Sequence, residues 1–218
     1  RMNAQVRGMN VAIRNANDGI SMAQVAEGAL SKIGDSLQRM RELALQSRNA
    51  SNSDSDKDSL QKEFFELQSE ITRIIGGTTF NGKHIIGAEA TAMTFQIGAN
   101  VTADDVITVQ TDNLNSNVDS SAVTVSTAVI HSLADAAAIG SVIQNIDTAL
   151  DTVNNQRATF GATQSRFDAI ISNLQQGVEN QAAARSRIMD ADFAAETANL
   201  SRAQILQQAG NAMVAQAN

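Results

Sequence analysis

The chain has 218 residues, with 16 basic against 23 acidic side chains and a formal net charge of −7. An acidic chain of this kind argues against a nucleic-acid partner, which requires clustered Lys and Arg, and no apolar run approaches the ~20 residues that span a bilayer. Cysteine, proline, tryptophan and tyrosine are absent. This excludes disulfides, thiol catalysis and cysteine-based metal sites, and it removes the main helix breaker.

The first predicted element is a helix from residue 2 to about residue 48. Its apolar residues alternate at spacings of four and three, with one extra three-residue step that resembles a stammer: Met2, Val6, Met9, Ile13, Ala16, Ile20, Ala23, Ala26, Leu30, Ile33, Leu37, Met40 and Ala44. Such a seam is typical of a helix that contacts other helices along its length. The helix would be about 70 Å long, against ~45 Å for a compact globule of this size. The molecule is therefore predicted to be elongated.

A second helix follows a polar loop at residues 47–58. Either Ser53 or Ser55 is a candidate cap for its start, and Gly76-Gly77 is the predicted stop. The same spacing of four and three recurs along it, at Leu60, Phe64, Leu67, Ile71 and Ile74. Two helices joined by a short polar loop predict an antiparallel hairpin.

Between residues 78 and 135 the helical period is lost and a small β region is predicted. Asn81-Gly82 and Gly87 are turn signals, and residues 94–97 and 106–109 alternate apolar with polar side chains. Residues 120–127 are rich in Val, Thr and Ser, which fits either a third strand or an extended link.

A third helix is predicted from residue 136 to residue 192, about 85 Å long. Its apolar face keeps the alternation without a slip, at Ile139, Ile143, Ile146, Leu150, Val153, Arg157, Phe160, Gln164, Phe167, Ile171, Leu174 and Val178. The simplest way to bury the long faces is side by side, with the second helix alongside. Residues 194–218 are helical in propensity, but the sequence offers no evident partner for their apolar stripe of Leu200, Ile205, Leu206, Met213 and Val214. A missing piece of chain or a neighbouring subunit is the expected partner.

Candidate chemical groups are few. His84 and His131 lack ligand spacing, and the acids at 54–58 and 104–105 do not follow the calcium-loop pattern, so caps and turns are expected there. Three further acids lie on one helix without a predicted pocket: Asp190, Asp192 and Glu196. We therefore predict no catalytic residue, no metal and no cofactor.

Three arginines of the first helix allow two interpretations. Arg39, Arg41 and Arg48 lie near Glu27 and Glu42 in the predicted helix. They form either a solvated, salt-bridged flank or a ridge that binds a partner, since Arg is common among the residues that dominate binding energy.

Several segments, taken together and in order, resemble bacterial flagellins. Near the N-terminus these are NVAIRNANDGISMAQVAEGAL (10–30), LQRMRELALQ (37–46) and the turn TTFNG (78–82). Near the C-terminus they are NNQRATFGATQSRFDAIISNL (154–174), SRIMDADFAAETANLSRAQILQQAG (186–210) and AMVAQAN (212–218). Residues 83–138 match loosely, in the part of the chain where flagellins vary.

The resemblance implies a mainly α fold, an elongated bundle of three long helices with a small β-hairpin region, as in the flagellin D1 domain. It divides the chain into an N-terminal helical part of D1 (1–77), a variable β-rich region (78–135), the long C-terminal helix of D1 (136–193) and the start of a D0 segment (194–218). It also implies that the chain is a fragment in which the D0 partner of the last segment is missing. Such a fragment is expected to stay monomeric.

The implied function is that of a structural subunit of the flagellar filament, which self-assembles into the helical propeller for swimming. The implied partners are other flagellin subunits, an export chaperone and the filament cap, with no nucleic acid and no membrane. The implied location is extracellular, in the filament, after secretion through the flagellar type III export apparatus.

A second implied partner is the vertebrate Toll-like receptor that senses flagellins with an LQRxRELAxQ segment. Its contacts correspond here to Arg39, Leu43 and Glu63. Alternatives within the resemblance are a hook–filament junction protein and a cell-surface adhesin or polysaccharide receptor of flagellin type. Some flagellins carry an inserted metallopeptidase domain, but the middle of this chain has neither the room nor a histidine pair.

Overall fold

A computed structural model describes residues 1–87, 90–110, 114, 128–189 and 193–216. The described chain is mostly helical, as predicted, with two small antiparallel β-ribbons. The elements in order are α1 (Met2–Ser47), α2 (Asp54–Gly77), β1 (Thr79–Phe80), β2 (Lys83–His84), β3 (Met93–Gln96), a 3₁₀ turn (Ala103–Asp105), β4 (Val106–Val109), α3 (Ala136–Met189) and α4 (Phe193–Gln216).

The body of the molecule is the antiparallel pair of α1 and α3. The register of this pair is constant from end to end: Gln181 donates to Gln5 near one end, at 3.0 Å, and Arg41 donates to Asp147 near the other, at 2.6 Å. The 54 residues of α3 extend about 80 Å at the normal helical rise. The predicted elongation is confirmed, although α2, with 24 residues, has only about half the length of the other two.

The predicted seam of α1 is buried along most of its length. Ala23 and Ala26, on either side of the extra three-residue step, are both fully buried, so the contact continues through the step. The first turns of α1 are less buried than the rest. Met2 is 36 % exposed, and the next three predicted positions are half-buried: Val6, Met9 and Ile13.

Aromatic rings fill the space where the β region meets the helix pair. A Cβ added to Gly19 of α1 would lie 2.6 Å from the ring of Phe167 on α3, so only glycine permits this close approach. Phe95 of β3 meets the same Phe167 ring edge-on, with the centroids 5.6 Å apart. Asn15 of α1 donates to the carbonyl of Gln96 at 2.9 Å. These contacts dock the β3–β4 ribbon on the pair.

The Asn-Gly turn is confirmed as the connection between β1 and β2. Asn81 has a φ of 49° and Gly82 a φ of 77°, and positive φ at both central residues is the backbone of a two-residue hairpin turn whose twist matches the strands.

The second ribbon pairs β3, which lies one residue earlier than predicted, with β4, which lies at the predicted residues 106–109. The register joins Met93 to Val109 and Gln96 to Val106. Ile97, the predicted last residue, lies outside strand β3, and its N–H donates to the carbonyl of Asp105 in the connecting loop, at 2.7 Å. The predicted strand or link at 120–127 lies outside the described residues.

The apolar face of α3 is broader than the spacing predicts. Arg157 and Gln164, two polar residues on the predicted face, are half-buried, and Arg157 donates to Glu27 of α1 at 2.8 Å. Three residues that the spacing did not predict are buried beside the face: Val142, Ala149 and Gln156. The helix ends at Met189, and the three further residues predicted for it, 190–192, lie outside the described part of the chain.

Removing the ring of Phe167 should destabilise the molecule strongly. The side chain is fully buried, and truncating such a phenylalanine costs about 3–5 kcal/mol. We expect Phe167→Ala to lower the free energy of unfolding by about that amount in urea denaturation followed by circular dichroism.

Phe65→Ala is the matched control, because Phe65 is 52 % exposed and its truncation should change stability by less than ~1 kcal/mol. Equal losses for the two variants would contradict the assignment of Phe167 to the core between α1 and α3.

Candidate interaction surface

The hairpin of α1 and α2 is set by a cap at the start of α2. Ser53, rather than Ser55, is the N-cap: its hydroxyl accepts from the N–H of Asp56 at 3.2 Å, and its own N–H donates to the Asp56 carboxylate at 3.1 Å. This reciprocal capping box fixes the first turn of the helix. The hydrogen bonds from Ser53 lower the pKa of Asp56. The cap therefore also holds a carboxylate at the positive end of the helix dipole.

Arg39 on α1 is held between two carboxylates. Its Nε donates to Glu63 on α2 at 2.7 Å, and its Nη1 donates to Glu42 one turn along α1 at 3.0 Å. The hydrogen bond to Glu63 is the main reason that the pKa of Arg39 is raised. All three side chains stay about half-exposed or more. Exposed pairs of this kind add little stability, but they fix the direction of a long side chain. Arg39, Glu42 and Glu63 are called the Arg39 ridge below.

Leu43 lies under the Arg39 ridge and not on it. Its side chain is fully buried and belongs to the same apolar cluster as Met40 and Phe64. Of the three residues that the resemblance singles out, the structure therefore brings Arg39 and Glu63 together at the surface and places Leu43 in the core.

The other predicted arginines have separate partners. Arg41 pairs with Asp147 of α3 at 2.6 Å, and this hydrogen bond raises the pKa of Arg41. Glu27, expected near the α1 arginines, pairs instead with Arg157 of α3. Arg48 is the C-cap residue of α1. The salt-bridged flank is thus present at Arg39 and Arg41, and each of these arginines has a partner on another helix.

A short backbone segment, residues 128–132, is held across the hairpin by side chains that sequence reasoning did not single out. Gln61 accepts from the N–H of Ile130 at 2.6 Å, and Asp58 accepts from the N–H of Ser132 at 3.1 Å. Buried Gln68 and Ser47 donate to the carbonyls of Ala128 and Ile130. These contacts are called the clasp below. A glutamine on the apolar face of α2, one turn after Phe64, is the sequence signal that could have indicated a polar partner there.

The last helix, α4, exposes its apolar side chains. The five predicted ones are between 59 % and 74 % exposed: Leu200, Ile205, Leu206, Met213 and Val214. They do not form the single stripe that was predicted, because at 100° per residue they occupy more than half of the helix circumference. A helix that is apolar on more than one face is normally covered from more than one side.

The remaining candidate groups have local structural roles. His131 accepts from the N–H of Leu133 at 3.0 Å within a turn, and Asp105 forms a capping box with Thr102. Within the described ranges, no group of three or more His, Asp or Glu side chains is arranged to hold a metal ion. None of the described helices is both long enough and apolar enough to cross a membrane. Asp190 and Asp192 lie outside the described residues.

A long helical pair with an ordered ion-pair ridge, and an apolar helix that the described residues leave exposed, are typical of a protein that packs against neighbouring molecules. Comparison with known proteins identifies the family. Residues 1–91 match the bacterial flagellin N-terminal helical region, and residues 143–218 match the bacterial flagellin C-terminal helical region. The chain belongs to the bacterial flagellins, and its role is that of a structural subunit of the flagellar filament.

Individual relatives agree with this assignment. The chain is 41 % identical over 218 residues to a flagellin of Halalkalibacterium halodurans, covering all of this chain and 78 % of the relative. It is 37 % identical over 245 residues to a flagellin of Bacillus subtilis, covering all of this chain and 80 % of the relative. The crystal structure of Bacillus cereus flagellin is similar with a TM-score of 0.64 and 31 % identity, over 79 % of this chain and 94 % of that one.

The fold is also shared with a hook-associated relative. The structure of a flagellar hook-associated protein from Vibrio parahaemolyticus has a TM-score of 0.66 at 12 % identity, over 84 % of this chain and 92 % of that one. At this identity the likeness shows the fold alone. The sequence relatives are what separate a filament subunit from a junction protein.

The clasp predicts a defined response to acid. Its hydrogen bonds from Ser132 lower the pKa of Asp58 below the ordinary value of 3.8. A carboxyl group whose pKa is lower in the folded than in the unfolded protein stabilises the fold at pH values above its pKa in the unfolded protein. This stabilisation is lost as the pH falls through its pKa in the folded protein. We expect the urea concentration at the midpoint of unfolding to decrease as the pH is lowered from about 5 to about 3.

The Asp58→Asn variant keeps a side-chain oxygen that accepts the hydrogen bond from the N–H of Ser132, but its carboxamide does not gain a proton in this pH range. The variant should therefore lose less stability over the same pH interval than the unsubstituted protein. The other carboxylates with lowered pKa, Asp56, Glu70 and Asp105, act in both proteins and cancel in the comparison. Identical acid losses would show that Asp58 does not contribute.

Proposed function

We propose that this chain, as part of the flagellin that a motile cell assembles, packs side by side with other subunits into the helical propeller used for swimming, with the α1–α3 pair as the stiff body of each subunit. The observation that carries this proposal is the apolar surface of α4, which the described part of the chain leaves uncovered. Heterologous contacts that do not close on themselves generate open filaments. A pair of helices about 70–80 Å long gives such a filament its rigidity.

The apolar side chains of α4 supply the driving force in this proposal. Fully burying a leucine, isoleucine, valine or methionine side chain is worth about 1.5–3 kcal/mol, so five of them provide a substantial gain on assembly. Their spread around the helix requires cover from more than one neighbouring segment. Isolated exposed apolar residues are common on protein surfaces, but five large ones on one helix of 24 residues indicate an interaction site.

Other parts of the proposal follow the family resemblance. They comprise the division into D1 parts at 1–77, 78–135 and 136–193, a D0 segment at 194–218, partners in an export chaperone and the filament cap, and an extracellular place in the filament reached by type III export. The end of α2 at Gly77 and the start of α3 at Ala136 coincide with these limits, which supports the division.

A charge on the apolar surface of α4 should block assembly. Leu206 is 65 % exposed in the isolated chain, and burying an unpaired carboxylate there would cost several kcal/mol. We expect Leu206→Asp, introduced into the flagellin that a motile cell assembles, to reduce the filament mass collected by sedimentation at least about tenfold.

Gln208→Asp adds the same charge to the same helix, on the face that carries Gln204 and Asn211. Filaments should form normally with it. Normal filaments with Leu206→Asp as well would rule out the α4 surface as an assembly contact.

We also propose that the Arg39 ridge binds the vertebrate flagellin-sensing Toll-like receptor. Arg39 is half-exposed and its direction is fixed by Glu63 and Glu42, so little conformational entropy is lost when a partner binds it. Leu43, buried below, acts in this proposal by holding the backbone of the ridge. Its truncation would weaken binding through the core and not through lost contact.

Truncating the central arginine tests this second proposal. We expect Arg39→Ala to weaken receptor binding by about fivefold or more in a titration with the purified receptor ectodomain, because such arginines are frequent binding hot spots. The control is Arg73→Ala, which removes a 70 % exposed arginine that is also paired one turn away, with Glu70. Equal affinities for the two variants would remove the role from Arg39.

A further inference from the structure

The tip of the β1–β2 ribbon carries the only Asn-Gly pair in the sequence. Asn81 and Gly82 are both exposed. The ladder that holds this turn consists of two residue pairs, Thr79 with His84 and Phe80 with Lys83. Ribbons as short as this are marginal by themselves, so the turn opens locally at low cost.

We propose that Asn81 is a site of spontaneous deamidation through a succinimide. The backbone nitrogen of Gly82 attacks the side-chain Cγ of Asn81, a new C–N bond closes the five-membered ring, and the bond from Cγ to the amide nitrogen breaks. The leaving amide takes the proton of the Gly82 N–H and departs as ammonia. Water then opens the ring at either carbonyl, which gives aspartate or isoaspartate at residue 81.

The structure leaves both reacting groups available. In the described part of the chain, neither the carboxamide of Asn81 nor the N–H of Gly82 has a hydrogen-bond partner. Gly82 has no side chain to shield its nitrogen, and the two loop residues of a two-residue turn lie outside the strand ladder.

Asn52-Ser53 is an internal comparison that differs from Asn81-Gly82 both in the following residue and in its environment. The carboxamide of Asn52 donates to the carbonyl of Gln46, and the N–H of Ser53 donates to the Asp56 carboxylate at 3.1 Å as part of the α2 cap. Both reacting groups are therefore held by other bonds. Attack at Asn52 requires that the capping box of α2 first be broken.

The two products would change the molecule in different ways. Aspartate adds one negative charge to a cleft of about 400 Å³ between α1 and the ribbons, which Asp18 and Lys83 also line, and it keeps the turn, since Asp-Gly suits the same backbone. Isoaspartate inserts a methylene into the backbone of a two-residue turn. It therefore shifts the register of Phe80 and Lys83 on either side.

The experiment is an ageing series of the folded protein at mildly alkaline pH, followed by trypsin digestion and mass spectrometry. Cleavage after Arg73 and Lys83 releases residues 74–83, in which Asn81 is the only asparagine. Cleavage after Arg48 and Lys57 releases residues 49–57, in which fragmentation in the mass spectrometer distinguishes Asn52 from Asn49. We expect the first peptide to gain one dalton several-fold faster than Asn52 does in the second. The new material should separate into two peaks, one of which co-elutes with the peptide from Asn81→Asp.

Two results would overturn the proposal. One is a folded protein in which residues 74–83 keep their mass while the same peptide, isolated and aged alone, converts, because the fold would then protect the turn. The other is equal conversion at Asn52 and Asn81, which would show that the hydrogen bonds of Asn52 and Ser53 do not slow deamidation at Asn52. Asn81→Gln, in which the slower six-membered ring would have to form, should abolish the conversion of this peptide.

Discussion

The close contact between α1 and α3 is the interaction on which the remaining structure depends. Gly19 allows the ring of Phe167 to lie directly on the backbone of α1, and the two helices keep one register over their shared length. The β3–β4 ribbon rests on that same ring through Phe95. The ribbons, the clasp and α2 are all positioned relative to this pair, so a change in its spacing would move every surface described above.

The polar contacts between elements fall into exposed ion pairs and buried hydrogen bonds, and the two kinds have different roles. Ion pairs such as Arg39 with Glu63 and Arg41 with Asp147 lie at the helix flanks, where solvent keeps them weak. Part of the clasp lies deeper: buried Gln68 and Ser47 satisfy backbone groups that would otherwise be costly to bury. The ion pairs therefore orient exposed side chains that a partner can contact. The clasp covers one end of the core with polar groups whose hydrogen bonds are satisfied.

Periodic features were predictable from the sequence, because they depend on residues close along the chain. The limits of α1, the end of α2 at Gly77 and the Asn81-Gly82 turn follow from spacing and from backbone preference. The candidate site was less accessible. The pairing of Glu27 with Arg157 joins residues 130 positions apart, and the burial of Leu43 depends on which element covers that side of α1. The spread of the apolar residues of α4 was visible in their numbering, but only the helix geometry shows that they occupy more than one face.

The order of the helices along the chain has a consequence for how the protein is made. The partner that covers α1 begins only at Ala136, so a nascent chain exposes the seam of α1 while nearly ninety further residues are translated, a wait on the order of ten seconds at ordinary elongation rates. Contacts between such distant residues make the native topology slow to form. The core can therefore close only after α3 has been synthesised.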